Sequence, residues 1–181
     1  TLTKHKFINM LFNNKFILAS TSKSRYRILK NNQLLFTKKT PTCNEESLKQ
    51  RLIVQKNKPN KISLELARLK SQSVSKKNKK TLVVGSDTII SFNGSVINKA
   101  KNLKEAKRKI ISFSGGSHII YSSASVFYNN KEIWNTTLKS QVKIRKLKEK
   151  DVDYYLLKTG KKILMSVGCY QAELLGPNII E

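Results

Sequence analysis

A chain of 181 residues with 39% hydrophobic content is long enough and apolar enough for one α/β domain with a real core. No segment is long and apolar enough to span a bilayer, so a membrane partner is not expected. The 36 basic and 11 acidic residues leave a net charge of +25. Such a balance ordinarily points to nucleic acid, but here the excess is mostly Lys spread along the whole chain beside abundant Asn and Ile, three residues that AT-rich codons favour. No basic block interleaved with aromatics stands out in the sequence, so a specific nucleic-acid partner is not expected. Cys43 and Cys169 are far apart, with no CxxC and no nearby His pair. That excludes an obvious zinc site and suits two reduced thiols in a cytoplasmic protein.

Residues 1–15 are basic and mildly apolar. They lack the long apolar run and small-residue cleavage site of a signal peptide, and a frayed extension is expected. Phe16-Ile17-Leu18-Ala19 has the length and composition of a buried strand. It stops at Ser20-Thr21-Ser22, and a helical pattern follows with Tyr26, Ile28 and Leu29 expected on one side. A strand that feeds a helix through a Ser/Thr turn presents backbone N–H groups without partners, which suit a phosphate. Ser22 can cap this helix, and Arg25 and Arg27 can reach back over its start. The plain alternative is an ordinary cap flanked by solvated basic residues.

Leu34 to Lys39 reads as a second strand. Pro41 breaks the following loop, and Glu45 and Glu46 open a helix to about Gln55. Pro59 is expected to end that region. A further helix runs from Ile62 to about Ser75, striped by Ile62, Leu66 and Leu69. Thr81 to Asp87 is the clearest buried strand; Thr88 to Phe92 continues it, Asn93-Gly94 is a hairpin turn, and Ser95 to Asn98 returns to deliver Lys99. Leu103 to Phe113 is helical and ends at Ser114-Gly115-Gly116. Two long alternating strands, from His118 and to Ile144, meet at Asn129-Asn130. Lys148 to Lys158 is a helix closed by Gly160, and Ile163 onward suggests a strand and then a loop. The pattern predicts one α/β domain on a mixed sheet.

Carboxylates are scarce, so their positions carry information. Asp87 is read as ending an apolar strand, where α/β folds place ligands, and could hold a divalent cation or take a proton from water. It could equally secure a turn before Thr88. Glu45 could supply a second oxygen ligand or simply favour its helix start. Lys70 and Lys99 would ordinarily be solvated, and Lys99 gains interest because the hairpin returns it toward Asp87. His118 is read as structural. GxxxxGK[ST], GxGxxG and HExxH are all absent.

Seven segments in one order resemble the Maf family of nucleoside triphosphate pyrophosphatases. They are LASTSKSR from Leu18, the loop ending at Glu45, LARLKS from Leu66, VGSDTII from Val84, NGSVINK from Asn93, FSGGSH from Phe113 and VGCYQAE from Val167. The resemblance covers the chain from Phe16 onward. It implies a single two-lobed Maf/ITPase-like domain over residues 16–181, on a mixed, twisted sheet with flanking helices and a central cleft. It implies metal-assisted hydrolysis, with Mg²⁺ or Mn²⁺, of a nucleoside triphosphate to the monophosphate and pyrophosphate.

By the same resemblance Asp87, Glu45, Lys70 and Lys99 are catalytic, with Glu45 and Asp87 also holding the metal. Ser20, Ser22 and Arg25 would bind substrate, and Ser24, Thr88 and Glu173 would set specificity. The chain departs from the family pattern at Lys23, Ser24, Tyr26, Ala100 and Glu173. Thr88 is similar to the branch acting on dTTP and UTP, and Glu173 to the branch acting on 7-methyl-GTP, so the preferred base stays open. The family usually continues past the position of Glu181, and the expectation is that this chain lacks that C-terminal segment. A second copy of the chain is a further conceivable partner. The competing expectation is a protein of the same fold that holds nucleotide or nucleic acid without turnover.

Overall fold

The computed structural model describes residues 15–172 and 174–181. The N-terminal extension, apart from Lys15, and Glu173 lie outside the described residues. In chain order the elements are β1 (Phe16–Ala19), α1 (Lys23–Asn31), β2 (Phe36–Lys39), α2 (Glu45–Val54), α3 (Pro59–Ser75), β3 (Val83–Phe92), β4 (Ser95–Ile97), α4 (Leu103–Phe113), β5 (Ser117–Tyr128), β6 (Lys131–Lys143) and α5 (Glu149–Thr159). Two 3₁₀ turns, Gly160–Met165 and Gly176–Asn178, follow. The α/β class and the mixed sheet expected from the sequence are present, in the strand order β2-β1-β3-β5-β6 with β4 on β3. Among the described residues no helix is long and apolar enough to cross a membrane.

The chain divides into two compact units. The first holds the described residues up to Thr88 together with Ser122–Leu138, and the second holds Ile89–Tyr121 and Lys139–Glu181.

In the first unit β1 is parallel to both β2 and β3, with Phe16 opposite Phe36 on one side and Ala19 opposite Gly85 on the other. All four β1 residues are buried, because a parallel strand between two neighbours is covered on both faces and must be apolar throughout. Phe16 packs with Leu82 and Val126, whereas Ile17 and Ala19 pack with Val74 of α3 and Val83.

Helix α3 lies very close to β3. Its residues Ser63, Ala67, Ser71 and Ser75, four apart and therefore on one face, are each 0% exposed. Ser63 Oγ lies 2.6 Å from Ser123 Oγ, Ser71 Oγ donates to Ala67 O at 2.9 Å, and Ser75 Oγ accepts from the Asn130 N–H at 3.0 Å. Gly85 completes the fit: a Cβ there would overlap the Ala67 carbonyl oxygen and lie 2.6 Å from the Ser71 nitrogen. The small residues let helix and strand backbones touch, and each buried hydroxyl finds a partner.

In the second unit α4 and α5 bury Ala106, Ile110 and Phe113 against Val152, Tyr155 and Leu156, with Ile144, Ile163 and Ile179 filling the remainder. The Asn93-Gly94 hairpin forms as expected, both residues having positive φ, and pairs Ile90 with Ile97.

Four readings from sequence need correction. Pro59 opens α3 rather than ending the preceding region, because its missing N–H would have had no partner at a helix start. Asp87 does not end its strand, nor does it secure a turn: β3 runs unbroken from Val83 to Phe92. The described residues among 163–181 form 3₁₀ turns and one bridge, Ile144 to Ile180, instead of a strand. Cys169 takes a positive φ there, which breaks an extended run. In α1, Tyr26 and Leu29 share a face, but Ile28 points away and is 59% exposed, since a step of one residue turns the helix by about 100°.

Candidate active site

In the strand order β2-β1-β3, β3 runs on past the carboxyl end of β1, and the carboxyl ends of strands are where open α/β sheets bind ligands. The last β1 residue, Ala19, pairs with Gly85. Parallel register then carries the Ser20-Thr21-Ser22 turn alongside Ser86, Asp87 and Thr88. The ending strand is β1, and Asp87 lies beyond the last paired residue because its neighbour stops short of it.

Ser20 is 2% exposed, and its Oγ accepts from the Ser22 N–H at 3.1 Å. Ser22 is the N-cap of α1, accepting from the Arg25 N–H at 3.3 Å. The first N–H groups of the helix have no preceding turn to bond and carry a partial positive charge, of which Ser22 Oγ takes up only the Arg25 N–H. Arg25 folds back over this start, as its position suggested, and its Nη2 donates to Thr88 Oγ1 at 3.1 Å. Burial pulls the guanidinium pKa down, while the charges of Asp87 and Glu45 push it back up. Arg27 is exposed and lies away from this group.

Lys70 is the centre of the charge pattern. It is 6% exposed, and its Nζ lies 2.6 Å from Asp87 Oδ1 and 2.8 Å from Glu45 Oε2. The close approach of α3 to β3 at Gly85 is what brings Lys70, the residue before Ser71, within reach of Asp87. Glu45 is the first residue of α2, whose N-cap Asn44 accepts from the Ser47 N–H at 2.9 Å. Glu45 thus sits at a helix start, as one of its two readings had it, and also pairs with Lys70. Two carboxylates and two cations, Lys70 and Arg25, thus converge from four elements.

Among the described residues no group of three or more His, Cys, Asp or Glu side chains could hold a metal ion. The Glu45 and Asp87 carboxylates form a pair of hard oxygen donors. That is the donor set of a Mg²⁺-type ion that draws its remaining ligands from phosphates and water, and it fits such an ion better than a protein cage for zinc.

The other expected residues fall as follows. Ser24 is half-buried in the first turn of α1, and Thr88 is half-buried beside Arg25. Lys99 belongs to the second unit, exposed beyond β4. Glu173 lies outside the described residues. His118 is 1% exposed, with Nε2 2.7 Å from Tyr170 Oη and its ring 4.6 Å from that of Phe113, a packed core histidine. Sequence reasoning missed Cys43. Its thiol is half-buried near Ser73 and within electrostatic reach of Glu45 and Lys70, and burial pushes its pKa up. The available signal was its place two residues before Glu45 in a Pro-broken loop.

The Maf-like protein family matches residues 15–181. The chain is 31% identical over 164 residues to the nucleoside triphosphate pyrophosphatase of Caulobacter vibrioides, covering 91% of this chain and 82% of that one. It is 32% identical over 165 residues to the 7-methyl-GTP pyrophosphatase of Bartonella henselae, again covering 91% and 82%. Among solved structures, a HAM1 protein from Coxiella burnetii aligns at a TM-score of 0.48 and 11% identity over 74% of each chain. The family match spans the segment that carries the Ser turn, Arg25, Glu45, Lys70 and Asp87, and the chain belongs to the Maf-like protein family.

Proposed function

We propose that this protein is a nucleoside triphosphate pyrophosphatase that splits the α–β phosphoanhydride to give the monophosphate and pyrophosphate. The observation that carries the reading is the Glu45–Lys70–Asp87 cluster beside the N-terminus of α1 and Arg25. A protein that only gripped an anion would gain nothing from two carboxylates in its site. The curated relatives named nucleoside triphosphate and 7-methyl-GTP pyrophosphatases support the same reading.

In this mechanism the triphosphate lies across the start of α1. The free N–H groups of the first turn and the Arg25 guanidinium bind its oxygens, and Lys70 adds a point charge that balances the charge developing on the leaving pyrophosphate. Lys70 holds Asp87 Oδ1, which leaves Oδ2 to orient a water and accept its proton. The water oxygen bonds to the α-phosphorus, the bond from that phosphorus to the bridging oxygen breaks, and pyrophosphate departs with the electron pair. A divalent cation, Mg²⁺ or Mn²⁺, would be held by Glu45 and Asp87 and would supply Lewis-acid charge neutralisation of the phosphates.

The substrate is a canonical pyrimidine nucleotide (dTTP or UTP) or a modified nucleotide, with Ser24 and Thr88 on its base or sugar side. The presence of both activity names among relatives makes 7-methyl-GTP the first modified substrate to try. The test is pyrophosphate release from a panel of canonical and modified triphosphates with Mg²⁺ or Mn²⁺. Turnover concentrated on one or two substrates is expected. No turnover of any of them by the folded protein would refute the reading and favour a non-catalytic binder.

A further inference from the structure

The chain contains no acidic residue before Glu45, although Lys15, Lys23, Arg25, Arg27, Lys30, Lys38 and Lys39 all precede it in the described region. Some cations of the chain meet carboxylates: Lys107 meets Glu149 and Asp153, and Arg68 meets Glu65 and Glu132. Arg25 faces Asp87 and Glu45. Lys23, Arg27, Lys30 and Lys38 are instead exposed on α1 and β2, within the first unit.

The tertiary structure also puts an aromatic ring in the middle of it. Lys23, Tyr26, Arg27 and Lys38 line a surface pocket of about 290 Å³ whose walls are mostly carbon. Tyr26 is 39% exposed, and its ring is braced edge-on by Phe36 at 5.3 Å, which is itself stacked on Phe16 at 5.6 Å. Lys38 Nζ stands 6.0 Å from the Tyr26 centroid. Lys23, Arg27 and Lys30 recur at spacings of four and three residues, so they form a stripe about 10 Å long on the helix. A stripe of that length exceeds the reach of one phosphate and matches successive phosphates of a strand.

We propose that the α1–β2 surface is a binding site for single-stranded nucleic acid, in which a base stacks on Tyr26 and the flanking phosphates lie on Lys23, Arg27, Lys30 and Lys38. A positively charged track with an exposed aromatic platform is how single strands are held without sequence preference. The pattern is invisible along the chain because Lys38 comes from a strand and the other cations from a helix. This proposal uses none of Glu45, Lys70 and Asp87 and does not depend on how that cluster works.

The test is fluorescence anisotropy with labelled oligo-dT and oligo-U against the intact protein, titrated across salt. Binding should be sequence-tolerant and weaker for a duplex of the same length. Tyr26→Ala should weaken it about five- to a hundredfold while Tyr26→Phe retains it. Arg27→Gln and Lys38→Gln, both at exposed positions, should each reduce the slope of log K against log salt by about 0.7. Lys162→Gln, an exposed lysine of the second unit, is the control for equal loss of charge and should leave the slope within error of the parent. The proposal is overturned if neither oligonucleotide binds at low salt. It is overturned equally if Lys162→Gln matches Lys38→Gln, or if inorganic polyphosphate competes as well as an oligonucleotide of equal charge, since either result makes the attraction diffuse charge without stacking.

Discussion

Replacing Asp87 by Asn keeps the size of the side chain and one acceptor oxygen but removes its charge. The structure sets the cost to the fold through Lys70, which is 6% exposed and has carboxylate partners at 2.6 and 2.8 Å. Stripping a buried charge of its partner costs about 3–5 kcal/mol. Here Glu45 remains, but its side chain is 43% exposed, so water screens it and it offsets only about 1 kcal/mol. The introduced amide oxygen still accepts from Nζ and offsets roughly 1 kcal/mol more. A net loss of about 1–3 kcal/mol follows, which lowers Tm by roughly 2–12 °C in a chain of this size. Catalysis should suffer far more, with kcat falling by about two to four orders of magnitude if Asp87 accepts the proton of the attacking water. The assay is pyrophosphate release at saturating substrate beside thermal unfolding of the same two preparations. Near-normal kcat in a folded variant would refute the assigned role. An unchanged Tm would refute the claim that Asp87 secures a buried lysine, and loss of fold together with activity would assign the residue to the scaffold.

Gly85→Ala should destabilise the protein by about 3 kcal/mol or more, read as a lowered urea midpoint, because the new methyl group meets the α3 backbone and not a flexible side chain. His118 gives a pH signature: burial lowers its pKa, so the unfolded chain binds the proton more readily. Its contribution is therefore complete above about pH 6.5 and is lost as pH falls below that value toward the lowered folded pKa, by at most about 1.4 kcal/mol per pH unit. His118→Gln should flatten the urea midpoint between pH 7.5 and 5, and an identical slope in both proteins would remove His118 from the account. Glu173→Gln should shift the ratio of kcat/KM between pyrimidine and methylated-guanine triphosphates, because a carboxylate accepts from guanine N–H groups whereas an amide both donates and accepts. An unchanged ratio would take Glu173 out of the pocket.

Much of the fold was legible because local rules and tertiary packing agreed. The unbroken apolar run Phe16–Ala19 announced a strand covered on both faces, and burial of all four residues follows from its two parallel neighbours. Asn93-Gly94 and Asn129-Asn130 announced tight hairpins, and all four residues have positive φ. The segment after Gly160 misled because short apolar pairs such as Ile163-Leu164 suit a strand or a 3₁₀ turn equally, and only the burial of Ile163 against its own unit decides between them.

The sequence by itself singled out the residues that the fold brings together: a chain this poor in carboxylates draws attention to Glu45 and Asp87, and a Ser/Thr turn before a helix draws attention to Ser20, Ser22 and Arg25. It did not determine that Lys70, one lysine among many, is the buried one. That depended on a helix face of Ser63, Ala67, Ser71 and Ser75 pressed on Gly85, residues whose smallness matters only once strand and helix are side by side. Nor could it place Asp87 beyond the end of its neighbouring strand, since β3 continues past it and it is β1 that ends, at Ala19. Pairing register and close backbone approach are properties of two segments together, and neither is written in either segment alone.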